Sequence, residues 1–329
     1  MWQPLSMRRL TVVLLLAVLG CSPGADARDP DPAAAEPEAV RVAAGSDAET
    51  TLLAHVAVEL LRDEGLEGEV VGFSEASDTR QALELGAVDV RVGYTGESWL
   101  ETLGRADPPG DPRTSVAAVR DHDVEEGVMW LRPRYGQGRD EPPANATFAL
   151  AVMGPPGRDA DLRTVSELAT RLSEQPDARV CVDREFGSRA DGLRAVLEAY
   201  SVRSDRPFLA ASPEEAVLGV AAGDCLAGLT TATDGLAWRA GLQLLEDDLE
   251  VFPAFVVLPQ VREELLDEQP RVRVALTPLA NELSDALLAQ ANATVVGGGE
   301  VEAAAEELAS ELRRRDGRAD DDAEGDAEA

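Results

Sequence analysis

The segment 88–99 reads "VDVRVGYTGESW" and places a strand directly before a helix. Valines at every second position from 88 to 92 have the period of a strand, and residues 97–100 open a helical pattern. The strand therefore ends near Gly93 and carries Tyr94 and Thr95 at its carboxyl end. Ligands bind at this edge of open α/β sheets, because backbone N–H groups and helix N-termini converge there. The same residues also fit a plain strand-to-helix turn with a half-buried tyrosine.

Strands and helices alternate on both sides of this segment. Residues 39–46 predict a strand, and the two helices that follow in the first half end at Gly65 and Gly86. A second series of strands and helices spans 147–235. Such alternation predicts mostly parallel sheets that are covered on both faces. The two series share one pattern of helix, glycine, acidic residue, strand and threonine-rich loop, in "ELGAVDVRVGYTG" and "AAGDCLAGLTTATDG". This pattern indicates two lobes that are built alike.

Length and charge narrow the possible functions. A chain of 329 residues is long enough for two domains with sizeable cores. It has 62 acidic residues, 30 basic residues that are all arginine, and a formal net charge of −32. This charge would repel the phosphates of nucleic acids and anionic membrane surfaces. We therefore expect no nucleic-acid partner.

The N-terminus predicts where the protein lies in the cell. Arg8 and Arg9 precede an apolar run, 10–19, that is too short to span a bilayer, which needs about 20 apolar residues. Residues 18–21, "VLGC", resemble the lipobox of bacterial lipoproteins, which predicts lipidation of Cys21. An ordinary cleaved signal with an incidental cysteine is the alternative. An acyl anchor would hold the protein on the outer face of the cell membrane. We expect 1–21 to be the signal peptide and lipobox, 22–39 a disordered tether and 313–329 an acidic disordered tail.

Two further cysteines, Cys181 and Cys225, lie in or beside predicted strands of the same half of the chain. Outside the cytoplasm such a pair can form a disulfide, and two inert buried thiols are the alternative.

The sequence offers little for catalysis. Its two histidines are His55, within an apolar helix, and His122, in the acidic segment "DHDVEE". The segment 40–312 contains no G-x-S-x-G motif of hydrolases, no H-E-x-x-H motif of zinc proteases and no C-x-x-C motif of redox proteins. The sequence therefore predicts a protein that is not an enzyme and needs neither a metal nor another cofactor.

The loops at the strand ends are the better candidates for a function. If two lobes turn these edges toward each other, their hydroxyls, N–H groups and aromatic faces line one cleft that suits a small polar or zwitterionic ligand. In the alternative interpretation, each of these polar residues only caps the helix that follows it. The loops contribute these candidate ligand-binding residues: Ser46, Ser74, Tyr94, Thr95, Phe186, Arg189, Thr231, Thr233 and Asp234.

Several segments, in order over 40–312, resemble the glycine betaine/carnitine/choline substrate-binding proteins of ABC transporters, the osmoprotectant-uptake family. They include "SDTRQALELGAVDVRVGYTGESWLETLG", "DREFGSRADGLRAVLEAY" and "LLEDDLEVFPAFVVLPQVREELL". The resemblance implies an α/β type II periplasmic-binding-protein fold, with two α/β lobes joined by a two-crossing hinge and closing on the ligand. Residues 40–145 would form the first part of lobe 1, 146–244 lobe 2, and 245–312 the return to lobe 1. It also implies that the closed form docks onto a membrane permease driven by a separate ATPase.

The same resemblance implies an aromatic cage for a trimethylammonium head, and this chain departs from that pattern. Tyr94 matches the family's Y-T-G, whereas Phe255 stands in the segment that reads P-P-Y-N in the family. Asn145 and Phe148 lie where the family reads N-T-Y-A-L. The pattern G-S-x-x-F-T-E-Q has lost its Phe and Gln in 45–52. The cage would therefore use Tyr94 and Phe255, with Phe148 or Phe186.

Three functions remain open at this point. The first is the solute-binding component of an ABC importer for quaternary ammonium compounds. The second is a protein of the same fold that binds another small solute, such as an amino acid derivative. The third is a ligand-sensing lipoprotein without a transporter.

Overall fold

The structure is a computed structural model that describes residues 39–133, 143–157, 161–188, 192–202 and 208–328. At residues 76, 77, 210, 211 and 318–328 only the backbone is described. The predictions for Cys21, for 22–38 of the tether and for Arg189 fall outside the described residues.

The secondary structure alternates along the chain as the sequence predicts. The strands are β1 (Val40–Ala44), β2 (Gly68–Gly72), β3 (Val90–Tyr94), β4 (Val128–Trp130), β5 (Phe148–Met153), β6 (Val180–Asp183), β7 (Phe208–Ala211), β8 (Ala227–Thr231), β9 (Leu242–Leu244) and β10 (Val257–Arg262). The helices are α1 (Ala48–Asp63), α2 (Ala76–Glu84), α3 (Thr95–Glu101), α4 (Pro112–Asp123), α5 (Val165–Glu174), α6 (Arg184–Ser188), α7 (Leu193–Ala199), α8 (Pro213–Ala221), α9 (Gly235–Arg239), α10 (Glu263–Glu268), α11 (Arg271–Glu282), α12 (Asp285–Val296) and α13 (Val301–Glu328).

The strands form two five-stranded sheets with the same topology. Their orders are β2-β1-β3-β10-β4 and β7-β6-β8-β5-β9. In each sheet the first three strands are parallel, and the fourth strand pairs antiparallel with both of its neighbours. The antiparallel strands, β10 and β5, are the ones that arrive from the other half of the chain. The predicted pair of like-built α/β lobes with mostly parallel sheets is therefore confirmed.

Two segments that cross between the lobes lie side by side. The Ala146 N–H donates to the Phe255 carbonyl at 3.0 Å, and the Val257 N–H donates to the Ala144 carbonyl at 2.8 Å. The Asn145 side chain strengthens this pairing, because its Oδ1 accepts a 2.6 Å hydrogen bond from the Phe255 N–H. The crossings thus form a short antiparallel ribbon that leads into β5 and β10. The lobe boundaries at 145/146 and 244/245 stay predictions.

Helix α1 organises the core of the first lobe and begins next to the carboxyl end of β1. The Asp47 carboxylate caps it by accepting a 2.9 Å hydrogen bond from the Thr50 N–H. Gly65, at φ 69°, lets the chain leave the helix in the left-handed region, as the sequence predicts. The core-facing side of α1 buries leucines and valines against β1, β3 and helices α11 and α13.

In the structure α13 continues to Glu328, through most of the segment 313–329 for which the sequence predicts a disordered tail, and the assignment of this tail stays a prediction. Leu308 and Leu312, in the first half of α13, pack in the core beside α1. The residues that follow are rich in Ala, Glu, Asp and Arg, and most of these types tolerate a helix well.

The second lobe is braced by a disulfide bond between Cys181 on β6 and Cys225 just before β8, whose Cα atoms are 5.7 Å apart. Both residues are buried. Of the two alternatives for these cysteines, the structure has the disulfide. Among the described residues, no helix is long and apolar enough to cross a membrane.

Candidate ligand-binding site

A cavity of about 450 Å³ lies where the two lobes meet. The carboxyl ends of β1 and β3, the first turn of α1, the loop after β8 and the hinge ribbon all contribute to its wall. Its lining residues are Ala43, Gly45, Asp47, Glu49, Thr50, Thr79, Arg91, Val92, Tyr94, Glu97, Ala146, Thr231, Thr233 and Phe255.

Two aromatic side chains of the cavity come from neighbouring strand ends. Tyr94 ends β3, and Phe255 lies on the second hinge crossing just before β10. Gly96 makes room for the phenylalanine, since a Cβ at this position would lie 2.7 Å from three atoms of the Phe255 ring. The glycine of "YTG" is therefore needed for a close approach, and it lets Phe255 lie over the start of α3.

Glu49, in the first turn of α1, has a carboxylate that accepts three hydrogen bonds from distant side chains. Its Oε1 accepts a 2.7 Å hydrogen bond from the Tyr94 hydroxyl. Its Oε2 accepts hydrogen bonds from the Thr233 hydroxyl at 2.7 Å and from Asn292 Nδ2 at 2.6 Å. Asn292 lies on α12, and its Nδ2 also donates to the Thr233 carbonyl at 2.9 Å. One carboxylate therefore joins β3, the second lobe and α12.

Burial raises the pKa of Glu49, and the three hydrogen bonds from Thr233, Tyr94 and Asn292 oppose this shift only in part. Because the pKa is raised on folding, the group favours the folded state at low pH, and this contribution is lost as the pH rises through the folded pKa. The charged carboxylate thus costs stability in the unliganded protein at neutral pH. Burial, together with the neighbouring charge of Glu49, raises the pKa of Tyr94 well above its usual value, so its hydroxyl stays a donor.

A pair of opposite charges, Arg91 and Glu97, also lies in the wall of the cavity. The Arg91 guanidinium donates from Nη2 to Glu97 Oε2 at 2.5 Å, and the Arg91 side chain is almost fully buried. Gln260 of β10 lies opposite Arg91 in the sheet. Within the described residues, Arg91 Nε and both amide atoms of Gln260 have no hydrogen-bond partner. This corner of the wall is therefore polar but only partly satisfied.

The second lobe contributes hydroxyls from the loop after β8. Thr231 and Thr233 line the cavity, and the Thr233 side chain is the one bonded to Glu49. Asp234, which the sequence also places in the site, instead caps α9 by accepting from the N–H groups of Leu236 and Ala237 at 2.7 and 3.1 Å. Its other oxygen accepts from the Thr230 hydroxyl at 2.6 Å. The capping alternative holds for Asp234.

Four other predicted residues of loops and hinge do not line the cavity. Ser46 and Ser74 are exposed. Thr95 is fully buried, and its Oγ1 accepts a 3.0 Å hydrogen bond from the Val256 N–H. Asn145 bonds to the Phe255 N–H, as described for the hinge. Thr95 and Asn145 therefore fix the strand ends that carry Tyr94 and Phe255.

The other two predicted aromatic residues of the cage lie in the core of the second lobe. The ring centroids of Phe148 and Phe186 are 5.1 Å apart, and Phe252 completes the cluster at 6.3 and 6.4 Å. None of the three lines the cavity. Of the predicted residues, the structure brings together Tyr94, Thr231, Thr233 and Phe255. Sequence reasoning missed the charged wall of Glu49, Arg91 and Glu97, for which only the loss of the family's Phe in 45–52 gave a signal.

Among the described residues, no group of three or more His, Cys, Asp or Glu side chains is arranged to hold a metal ion. The cavity has room for an organic molecule of modest size between two aromatic rings, several hydroxyls and the half-buried Glu49 carboxylate.

Comparisons with known proteins agree on one family. The model of the substrate binding domain of ABC-type glycine betaine transport systems matches residues 38–311. The glycine-betaine-binding protein of Pseudomonas aeruginosa is 27% identical over 269 residues, which are 79% of this chain and 83% of that protein. The glycine betaine-binding protein YehZ of Escherichia coli is 28% identical over 265 residues, or 78% of this chain and 84% of that protein.

The solved structure of apo YehZ superposes with a TM-score of 0.73 at 26% identity, over 85% of this chain and 99% of that chain. Another relative has a name that gives a role in chemotaxis. It is the chemotactic signal transduction system substrate-binding protein CosB of Halobacterium salinarum. It is 25% identical over 277 residues, which are 79% of this chain and 80% of that protein.

Proposed function

This chain belongs to the family of substrate-binding domains of ABC-type glycine betaine transport systems, and from this premise we propose that it is the lipid-anchored, extracytoplasmic solute-binding component of an importer for quaternary ammonium compatible solutes. The family membership confirms the resemblance and the type II periplasmic-binding fold expected from the sequence. As a member of this family it is a substrate-binding protein and not an enzyme.

The strongest support for this proposal is the position of the cavity between the lobes, with Tyr94 and Phe255 on its wall. A trimethylammonium group is attracted to the faces of such rings, and each cation–π contact contributes about 0.5–2 kcal/mol, depending on desolvation. Thr231 and Thr233 add hydroxyls from the opposite lobe, so a bound solute would touch both lobes. Contacts to both lobes favour the closed arrangement over the open one.

Calorimetric titration with glycine betaine, choline, carnitine, proline and ectoine tests this proposal. We expect at least one quaternary ammonium solute to bind, and the Tyr94→Ala variant to bind it more weakly by about 0.5–2 kcal/mol. Ser74→Ala is the matched control, since Ser74 is exposed and does not line the cavity. If none of the quaternary ammonium solutes binds, the ligand class is wrong. If one binds and Tyr94→Ala leaves its affinity unchanged, the site lies elsewhere.

The anchor is a separate part of the proposal and is supported by the sequence "VLGC" at 18–21. Acylation of Cys21 would tether the domain to the outer face of the membrane, within reach of a permease and its ATPase. We expect Cys21→Ser to move the protein from the membrane fraction to the soluble fraction. Unaltered membrane association of this variant would contradict lipidation.

Ligand sensing is the second candidate, and the similarity to a chemotactic binding protein favours it. Uptake of labelled choline or glycine betaine by cells with and without the gene separates the two functions. Transport predicts a loss of uptake in the deletion strain, whereas sensing predicts normal uptake with a lost behavioural response.

A further inference from the structure

We propose that the Glu49 carboxylate is the countercharge for the cationic head of the bound solute. The inference rests on the proposed function, because it names the group that recognises the ligand of the same cavity. It goes beyond an aromatic cage, since it assigns the main electrostatic attraction to a carboxylate of the first lobe.

The Glu49 carboxylate is held in place by contacts from distant parts of the fold. Glu49 lines the cavity and receives its hydrogen bonds from Tyr94, Thr233 and Asn292, which come from three different parts of the fold. The three donors lie 45, 184 and 243 positions away in the chain. The orientation of this side chain is therefore set by the tertiary structure, and it stands beside the ring of Tyr94.

In the part of the chain that the structure describes, this carboxylate has no cationic side chain as a partner. Among the described residues, no arginine or histidine lies within 4.0 Å of the Glu49 carboxylate. The chain contains no lysine, and the cavity's Arg91 is paired with Glu97. Buried carboxylates are normally paired with a cation, because neutral donors offset only part of the cost of removing the charge from water. A cationic ligand would supply the missing charge.

The hydrogen bonds that Glu49 already accepts favour a cation without N–H groups. The two oxygens already accept three hydrogen bonds, so little acceptor capacity remains for the N–H groups of a protonated amine. A trimethylammonium group donates no hydrogen bond and needs only proximity to the charge. The carboxylate and the rings of Tyr94 and Phe255 therefore act on the same head group.

Three other charged residues, Asp47, Arg91 and Glu97, line the same cavity and contribute to its electrostatic potential. Asp47 caps α1 and raises the pKa of Glu49, and Arg91 and Glu97 of the first lobe also line the cavity. The partners from the second lobe and α12, Thr233 and Asn292, are neutral. The described wall thus has three carboxylates and one arginine, which favours a cation over an anion.

The direct test is calorimetric titration of choline against the wild type, Glu49→Gln and Glu97→Gln. Glu49→Gln removes the charge with little change of shape, and we expect the dissociation constant to rise about tenfold or more. Glu97→Gln removes one charge from the same wall, at a carboxylate already paired with Arg91, and we expect a change of about threefold or less. Equal affinities of Glu49→Gln and the wild type would overturn the inference, as would equal losses in the two variants.

A second measurement needs no variant. Choline would bind the charged form of Glu49, so the affinity of the wild type should fall as the pH falls through the raised pKa of this group. An affinity that is constant between pH 7 and pH 4, with the protein still folded by circular dichroism, contradicts the inference. If the wild type binds no quaternary ammonium solute at any pH, the proposed function fails together with the inference. If it binds one and Glu49→Gln binds equally, only the inference fails.

Discussion

The carboxyl ends of β3 and β8 hold equivalent positions in the two lobes, yet they contribute different chemistry to the cavity. Each is the third parallel strand of its sheet and pairs with the antiparallel strand that arrives from the other lobe. The end of β3 carries Tyr94 beside the charged groups of the first lobe, whereas the end of β8 carries Thr231 and the loop after it carries Thr233. The shared topology therefore places both strand ends at the cavity, and the side chains at these ends determine which ligand can bind.

This difference suggests that the two lobes make different contributions to ligand binding. We propose that the first lobe supplies most of the attraction for a ligand, through the Glu49 carboxylate and the Tyr94 ring, and that the hydroxyls of the second lobe complete the contact. Thr233 links the two halves directly, because it donates to Glu49 across the cavity. Four changes would test this comparison, in order of decreasing expected effect.

Loss of the disulfide should destabilise the second lobe most. The bond closes a loop with a sequence separation of 44, and chain-entropy arguments give about 4 kcal/mol for such a loop. We expect reduction, or the pair Cys181→Ala and Cys225→Ala, to lower the melting temperature and to speed hydrogen exchange in β6 and β8. The double variant is also the control, since its melting temperature should no longer respond to reductant. Equal acceleration of exchange in β1 and β3 would show that the lobes do not differ in this way.

Gly235→Ala should weaken the contact between the lobes. An added Cβ would lie 2.4 Å from the Asn292 carbonyl carbon and 2.5 Å from the Ala293 nitrogen, where α9 meets α12. Backbone atoms cannot move aside as a flexible side chain can, so overpacking should cost about 1–3 kcal/mol.

Thermal unfolding measures that cost, and Gly72→Ala is the control because nothing lies within 4 Å of its added Cβ. An unchanged melting temperature for Gly235→Ala would contradict a tight α9–α12 contact.

Thr233→Val should reduce stability by about 1 kcal/mol, the net contribution of one hydrogen bond. The change keeps the shape of the side chain and removes the donor to Glu49 Oε2. Thr231→Val is the matched variant on the same loop, and we expect a smaller effect because no hydrogen bond joins Thr231 to Glu49. Urea unfolding of both variants gives the comparison, and a larger loss for Thr231→Val would reverse the assignment of the two hydroxyls.

Ser46→Ala and Ser74→Ala should change solute affinity by less than about 0.5 kcal/mol. Both hydroxyls are exposed at the edge of the first lobe and lie outside the cavity lining. Titration of both variants with a solute that binds the wild type is the measurement. A loss of tenfold or more would restore these serines to the site and remove part of the contrast between the lobes.

The sequence predicted the frame well, because strand and helix periods are local signals. Gly65 and Gly86 end their helices in the left-handed region as predicted, at φ 69° in both cases. The repeated pattern at 84–96 and 221–235 also predicted two lobes that are built alike.

The binding site could be predicted only in part, since its contacts join distant residues. Glu49 lies in a helix whose pattern shows which side faces the core, but not that its first turn faces a cavity. Its partners come from β3, the loop after β8 and α12. Phe148 and Phe186, which the sequence places in the cage, pack in or against the core of the second lobe, because an aromatic residue near a strand end can pack in a core as well as in a cage. Local patterns do not distinguish these two environments.

A crystal structure of the protein with bound choline tests most directly whether Tyr94, Phe255 and Glu49 hold the cation. We expect density for the trimethylammonium head in the cavity between the lobes, in contact with the rings of Tyr94 and Phe255. We also expect this head within about 5 Å of the Glu49 carboxylate, a distance at which opposite charges attract strongly away from water. Density for the ligand at another place, such as the groove between α12 and α13 near Gln290 and Glu311, would contradict these expectations.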